Sequence, residues 1–582
     1  MRLTIALLAA LALASCGPEP APQRGEPPPA AAAVAVPAQA PENPGGGDWP
    51  QWGRTASKNM TSPARGLPFE IDPGKLKPDG TVDLATAKNV LWAAKLGSQT
   101  YGNPTVSRGR VFVGTNNEGR GDPRFKGDYS VLHCLDAATG KILWSLTVPK
   151  LGTGKVGDWE FLGICSSPTV VGDRVYLVTN RCEVMCLDFN GLADGNQGFQ
   201  DEAKYMSYVG TTPGKPVELK ETDADIIWRY DMIEELGVFP HNITSSSILV
   251  VGDILYCSTS NGVTYDHTDI PSPKAPALIA LNRRVAERPG ATPREILVGE
   301  EGSGLSRRIL HGNWTSPCWG EVNGRGILIY GGPDGFCYAF DPHPVTDADG
   351  FGVFPELWRY DCNPIDLRYR NGDPSKPIKY ATLRDGPSEI IATPVFHEGR
   401  VYVGIGQDPE HRGGPGNFSC LDAATGKKVW DRRIDRTMST ASVVDGLVYI
   451  SDWTGYLYCM DAATGALQWK YDTGSEVWCS TLVADDKIYL GNYDGVLTVF
   501  AADRMKKAVA ELGPGLEVQT KRGKLVFARE GKTLREIGGN EVDRYLREAR
   551  FPASINCTPI VAQGVLYVAT MRHLYAIKET SR

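Results

Sequence analysis

Three stretches decide the fold: DAATGKILW at Asp136–Trp144, DAATGKKVW at Asp422–Trp430 and DAATGALQW at Asp461–Trp469. The Asp-to-Trp spacing is the same in all three. The last two copies stand roughly 40 residues apart, the length of one small antiparallel sheet. Each residue of the motif has a physical task. Asp and Thr side chains bond the amides of a tight turn, and Gly supplies the positive φ at its tip. Trp gives the strand that follows a large surface to bury against a neighbour. Working outward from the last copy, Ser439–Gly474 reads STASVVDGLVYISDWTGYLYCMDAATGALQWKYDTG. An inner strand ends at Val444, Asp445-Gly446 turns the chain, and Leu447 to Ser451 returns. Leu457 to Met460 runs out again and the Trp469 strand completes a four-stranded meander, one propeller blade.

The same template places inner strands near Thr105, Ser167, Ser246, Ser316, Thr393, Ala441, Thr481 and Thr558, which makes eight repeats. The last ends at Ile577 with no outer strand after it, while an orphan Trp strand, Asn89–Gly97 (NVLWAAKLG), precedes the first. The expected fold is therefore all-β: an eight-bladed β-propeller of four-stranded antiparallel blades, its ring closed by pairing the N-terminal strand with the last blade. Closure leaves no open edge. The 65 Gly and 41 Pro suit many short strands joined by tight turns. Two insertions interrupt the pattern. Residues 190–223 follow Asp188 in the run DFNGLADGNQGFQDE; Leu192 stands where a calcium loop wants Asp or Asn, so a polar loop is expected. Residues 514–548, rich in Lys, Arg and Glu, are expected to separate the seventh outer strand from the eighth inner one as a hairpin and a short helix over Glu541–Ala549.

The N-terminus reads as an export signal. Arg2 is followed by an apolar run from Leu3 to Leu13 and then by Leu13-Ala14-Ser15-Cys16. The Cys at the cut resembles the bacterial lipobox, which implies a signal peptide over 1–15, lipid on Cys16, and a lipid bilayer as partner. Gly17 in place of Asp resembles the sorting pattern for the outer membrane, facing the periplasm. Residues 16–47 are mostly Pro, Ala and Gly and form an extended tether; residues 48–582 carry the propeller. A net charge of −7 gives no electrostatic reason to expect nucleic acid. A monomer is expected. Cys134, Cys186, Cys420 and Cys459 occupy one slot in successive repeats, too far apart for disulfides, so packing inside strands is their expected role.

In a four-stranded blade the second-to-third and fourth-to-first connections share one face of the disc. The first-to-second turns, on the other face, are minimal here (Gly172-Asp173, Asp445-Gly446, Asp485-Asp486, Gln563-Gly564). The loops of the first face are long: 116–128, 151–163, 263–275, 299–312 and 407–416. Long loops on a rigid scaffold carry function. His241, His267, His311, His411 and His573 map there, as do Asp158, Trp159, Glu160, Asp269, Trp314, Asp408 and Glu410. A concave mouth of this composition is the expected site for a protein or small-molecule ligand. A metal held by the histidines is a further option, although no ligand spacing marks it.

The DAATGK-x-x-W signature and the eightfold count resemble the PQQ-repeat propellers, a superfamily of quinoprotein alcohol dehydrogenases and BamB-type lipoproteins. DWPQWGR, GNWTSPCW, GQDPEHRGGPGN and SNGVTYDHTDIPSP are similar to stretches of uncharacterised secreted proteins with these repeats. The dehydrogenases imply PQQ in the channel mouth, between a Trp and a disulfide of neighbouring cysteines, and calcium held by Glu and Asn with an Asp as base. On that resemblance Asn261 matches the Asn, Glu160 supplies the carboxylate, and Asp266 or Asp269 lies upstream of the base position, near which Lys274 stands. The adjacent cysteine pair is absent. The BamB-type resemblance implies instead a non-catalytic envelope propeller acting as a binding or scaffold module. Of the two, the second is the expectation and the PQQ- and calcium-dependent dehydrogenase is the alternative.

Overall fold

A computed structural model describes residues 47–68, 70–119, 121–380, 386–502 and 545–579, with three strands between the last two ranges. The expected signal peptide, Cys16 and the expected tether as far as residue 46 lie outside the described residues.

Eight sheets form the ring. The sixth shows the pattern: Ser442–Val444, Leu447–Ser451, Tyr456–Asp461 and Leu467–Asp472, each antiparallel to the one before. Alternation drives this arrangement. Tyr449, Leu457, Cys459 and Trp469 are buried against Val483, Ile488 and Phe500 of the seventh blade. The eighth blade is built from both ends of the chain: Ile560–Ala562, Val565–Ala569 and His573–Ile577 are completed by Val90–Lys95, with Trp92 opposite Ala576. The closure expected from the orphan Trp strand is thus present.

Each DAATG turn also clasps the preceding blade. Asp461 Oδ1 accepts from the backbone N and the hydroxyl of Thr464, and Gly465 has φ +70°. The indole of Trp430, on the outer strand of blade five, lies over this turn and donates to the carbonyl of Ala462 (3.0 Å). Trp92 does the same to Ala137 (2.9 Å) and Trp358 to Ala423 (2.9 Å).

Two sequence expectations need correction. Tyr545–Arg550 is a strand, not a helix, and it is the outer strand of the seventh blade, paired with Val496–Ala501. The charged insertion therefore falls between the third and fourth strands of blade seven. Arg and Glu favour helix locally, but pairing with Val496–Ala501 and burial of Ala549 override that preference. Glu517–Thr520, Gly523–Glu530 and Thr533–Glu536 form a three-stranded meander within the insertion; residues 541–544 are outside the described set. The earlier insertion carries single helical turns at Gly191–Asp194 and Glu202–Tyr205 and docks on blade one through Ser145. None of the 12 cysteines from Cys134 to Cys557 is in a disulfide, and Cys165 alone of them is not fully buried.

The segment before the orphan strand forms a collar. Residues 47–61 run around the inner strands at the minimal-turn face. Gly47 O accepts from Gln563 N, and Trp49 exchanges two bonds with Val106. Pro50, Ala56, Ser57 and Met60 offer their carbonyls to Val170, Trp319, Phe396 and Val483, and Asn59 clamps Val443 from both sides. Seven of the eight blades are touched in order around the ring. The collar folds back tightly at Gly53, where a Cβ would come within 2.5 Å of Lys58 Cα. The wholly buried Lys58 donates to Gln51 Oε1 (3.0 Å) and Trp52 O (3.2 Å), and burial pulls its pKa down to about 7.

Candidate functional site

Two residues before every inner strand stands a polar slot residue: Asn103, Ser167, Ser247, Ser316, Thr393, Thr440, Ser480 and Thr558. Six of these side chains accept the backbone N–H of the equivalent residue one blade earlier. The bonds run Ser167 to Ser247 (3.0 Å), Ser247 to Ser316 (2.9 Å), Thr393 to Thr440 (3.2 Å), Thr440 to Ser480 (2.8 Å), Ser480 to Thr558 (2.9 Å) and Thr558 to Asn103 (2.6 Å). Thr393 accepts from the collar instead, through Trp52 Nε1 (3.0 Å). This circle of bonds sets the inner strands at one height around the axis.

Two residues upstream, on the same side of the extended chain, stand Tyr101, Trp314, Met438, Trp478 and Asn556, with Cys165, Ser245 and Ile391 in the remaining blades. All eight line a cavity of about 420 Å³ in the channel mouth, together with most of the slot residues. Trp52 of the collar lines it from the minimal-turn side, so the cavity is a well rather than a pore. Trp159, Asn242, Asp408 and Glu410 come from the long loops. Two features mark the well as built to receive something polar. Both amide atoms of the buried Asn556 lack a partner, and so does Trp478 Nε1. Asp408 takes a long bond from Asn242 Nδ2 (3.4 Å), and burial raises its pKa to about 6.

Behind the Trp314 wall lies a nest of imidazoles. The ring of His311 is 4.6 Å from His241, 4.3 Å from His267 and 4.9 Å from His411, on which it stacks. His241, His311 and His411 are buried and His267 is partly exposed. His241 Nδ1 lies 2.6 Å from the carbonyl of Val263, and His311 Nδ1 lies 3.4 Å from Glu389 Oε1. His311 Nε2 and Glu389 Oε2 are buried without partners. Tyr380 OH sits 3.0 Å from His411 Nδ1 and 3.3 Å from Glu389 Oε1. Burial, then neighbouring imidazoles, pull His241 and His411 down to about 3, so both are neutral bases at pH 7. Burial raises Glu389 to about 8.

The sequence candidates thus separate into groups. Trp159, Trp314 and Asp408 line the well, and His311 and His411 belong to the nest. Asp158 is a buried strut, paired with Lys150 (2.6 Å) and bonded by Leu151 N and Asn180 Nδ2. His573 lies elsewhere, its Nε2 at 2.8 Å from Gly80 O. Tyr380 and Glu389 were missed by sequence reasoning because their loop has no counterpart in other repeats. The three aromatics two residues before a slot, Tyr101, Trp314 and Trp478, were legible once the eight inner strands were aligned, yet Trp314 alone among them was singled out.

The residues present do not fit PQQ with calcium. Asn261 is buried and spent: its Oδ1 accepts from Phe239 N (3.0 Å), and its Nδ2 donates to Ser272 O (2.9 Å) and Ser306 Oγ (3.2 Å). Asp266 and Asp269 are exposed on a surface turn, where Asp266 is occupied by Thr264 and Thr268. Glu160 and Lys274 are exposed, and none of these five side chains lines the well.

The family model described as outer membrane protein assembly factor BamB matches residues 78–265 and 356–581. The chain is 21% identical over 405 residues to the polyvinylalcohol dehydrogenase of Sphingopyxis sp. (strain 113P3), covering 62% of this chain and 53% of that protein. It is 27% identical over 129 residues to the quinoprotein ethanol dehydrogenase of Pseudomonas putida, covering 20% of this chain and 21% of that one. It therefore spans about half, or less, of the length of these curated relatives. Among solved structures, BamB from Moraxella catarrhalis is 11% identical with a TM-score of 0.44, over 85% of this chain and 98% of that chain. The quinohemoprotein alcohol dehydrogenase of Comamonas testosteroni is 14% identical with a TM-score of 0.42, over 92% and 81%.

Proposed function

The chain belongs to the family described as outer membrane protein assembly factor BamB, and we propose that it is a non-catalytic envelope propeller, held by lipid at Cys16, that takes a ligand into its well. The observation that carries this reading is the closed channel mouth with aromatic walls and unpaired polar groups. Trp159, Trp314, Trp478 and Tyr101 offer flat apolar faces, and the slot hydroxyls and Asn556 offer hydrogen bonds. Among the described residues no Lys or Arg lines the well, while Asp408 and Glu410 do, which disfavours anions. The matching ligand class is an uncharged ring compound or chain end rich in hydroxyls, such as a sugar unit of a neutral oligosaccharide.

Tryptophan fluorescence reads this directly. Titration with a panel of neutral oligosaccharides is expected to quench or shift the emission. Trp314→Ala and Trp478→Ala are each expected to weaken binding at least ~10-fold, the equivalent of ~1.4 kcal/mol. A panel without a single binder overturns the reading. So does stoichiometric uptake of PQQ with calcium, followed by dye reduction with alcohols, which would favour the dehydrogenase alternative that the relatives' names suggest.

A further inference from the structure

The imidazole nest lies outside the well and needs no part of the reading above. We propose that His241, His267 and His311 bind one divalent first-row transition-metal ion.

Among the described residues this is the one group of three His, Cys, Asp or Glu side chains whose ligand atoms all lie within 4.8 Å of one another. The ring orientations suit it. His241 Nδ1 is held at the Val263 carbonyl and His311 Nδ1 faces Glu389, which leaves the Nε2 of each ring as the nitrogen for a metal. Metal-bound imidazoles are oriented by such outer carbonyl and carboxylate partners. The orphaned Nε2 of His311 is the second, independent sign. His311 is 1% exposed and this nitrogen has no protein partner. Leaving a buried polar atom unmade costs ~1–3 kcal/mol, and a metal ion would remove that cost.

The loop chemistry supplies the third arm. His267 sits on the turn Thr264–Asp269 at φ +57° and is the partly exposed member of the three. Donors around a tetrahedral zinc stand ~3.4 Å apart, given Zn–N bonds of ~2.0–2.1 Å. Bringing donors that lie within 4.8 Å of one another to that spacing asks for a shift of up to about 1.4 Å, which a surface turn supplies more readily than the two buried rings. His411, stacked on His311, is a further imidazole at the edge of the group. Neutral imidazole donors select zinc, copper, nickel, cobalt or iron rather than calcium or magnesium.

Cobalt(II) is the probe, added to the purified full chain after chelator treatment. One equivalent per chain is expected, with visible d–d bands and no sulfur-to-cobalt charge transfer in the near ultraviolet. The charge-transfer criterion matters because 12 free cysteines compete as ligands. His311→Ala is expected to abolish the signal. Because that side chain is buried, His267→Ala is the stronger test: it alters an exposed turn and is expected to weaken binding at least ~100-fold with the circular dichroism spectrum unchanged. Absence of stoichiometric binding, a thiolate band, or unchanged affinity in His267→Ala would each overturn the proposal.

Discussion

Gly465 does two things at once. Its φ of +70° closes the DAATG turn, and its missing side chain leaves room for the neighbouring blade: a Cβ there would meet the Trp430 ring at 2.5 Å. Gly140 under Trp92 and Gly426 under Trp358 repeat the arrangement at 2.5 and 2.6 Å. The turn role was legible in the sequence, whereas the clearance role was not, because the Trp comes from the preceding repeat. Gly109 separates the two effects, since it has φ +76° and open space around its would-be Cβ. Gly109→Ala is expected to cost ~1–2 kcal/mol from backbone strain alone. Gly465→Ala is expected to cost ~1–3 kcal/mol more through overpacking. Urea denaturation of the two variants measures the difference; equal losses would remove the clasp from the argument. At this same scale the nest was only half legible. Its histidines could be assigned to one face, but their convergence depends on two loops between blades and two loops within blades, and Glu389 carries no repeat signature.

The element that most constrains the fold is Val90–Lys95. Its partner, His573–Ile577, comes at the other end of the chain, so the eighth sheet cannot complete until both have been made. Trp92, 5% exposed, fixes this pairing through two contacts: it bonds Ala137 O in blade one and lies 6.0 Å from Tyr567 in blade eight. Trp92→Ala is expected to destabilise by ~3–5 kcal/mol. Light scattering after gel filtration is also expected to show self-association, because the edge of His573–Ile577 is then poorly covered. A monomer of unchanged stability would mean that closure relies on other contacts. The orphan strand was readable because a Trp strand lacked a blade and a blade lacked a strand. The strand at Tyr545–Arg550 was not, because charged residues that face solvent on an outer strand look locally like a helix.

At the scale of the whole molecule, eight small sheets share one axis, and the collar makes that axis a dead end. The blade count and loop faces followed from periodicity. The collar did not, since DWPQWGRTASKNM belongs to no repeat and shows its purpose only when wrapped beneath seven of them. The lipid reading of Cys16 is tested at this scale too. In Triton X-114 partitioning of the expressed protein, the wild type is expected in the detergent phase and Cys16→Ser in the aqueous phase; aqueous partition of both would remove the anchor.

The collar also has an orientational effect. Its first described contact, Gly47 with Gln563, is made beside the short hairpin turns of blades eight and one, where Asp48 accepts from Gln563 Nε2 and Arg108 N. Residue 47 therefore lies on the underside of the disc. On the proposed lipid anchor at Cys16, the propeller would hang like a lamp on a cord, with its aromatic bowl turned away from the bilayer and open to whatever passes through the compartment beyond.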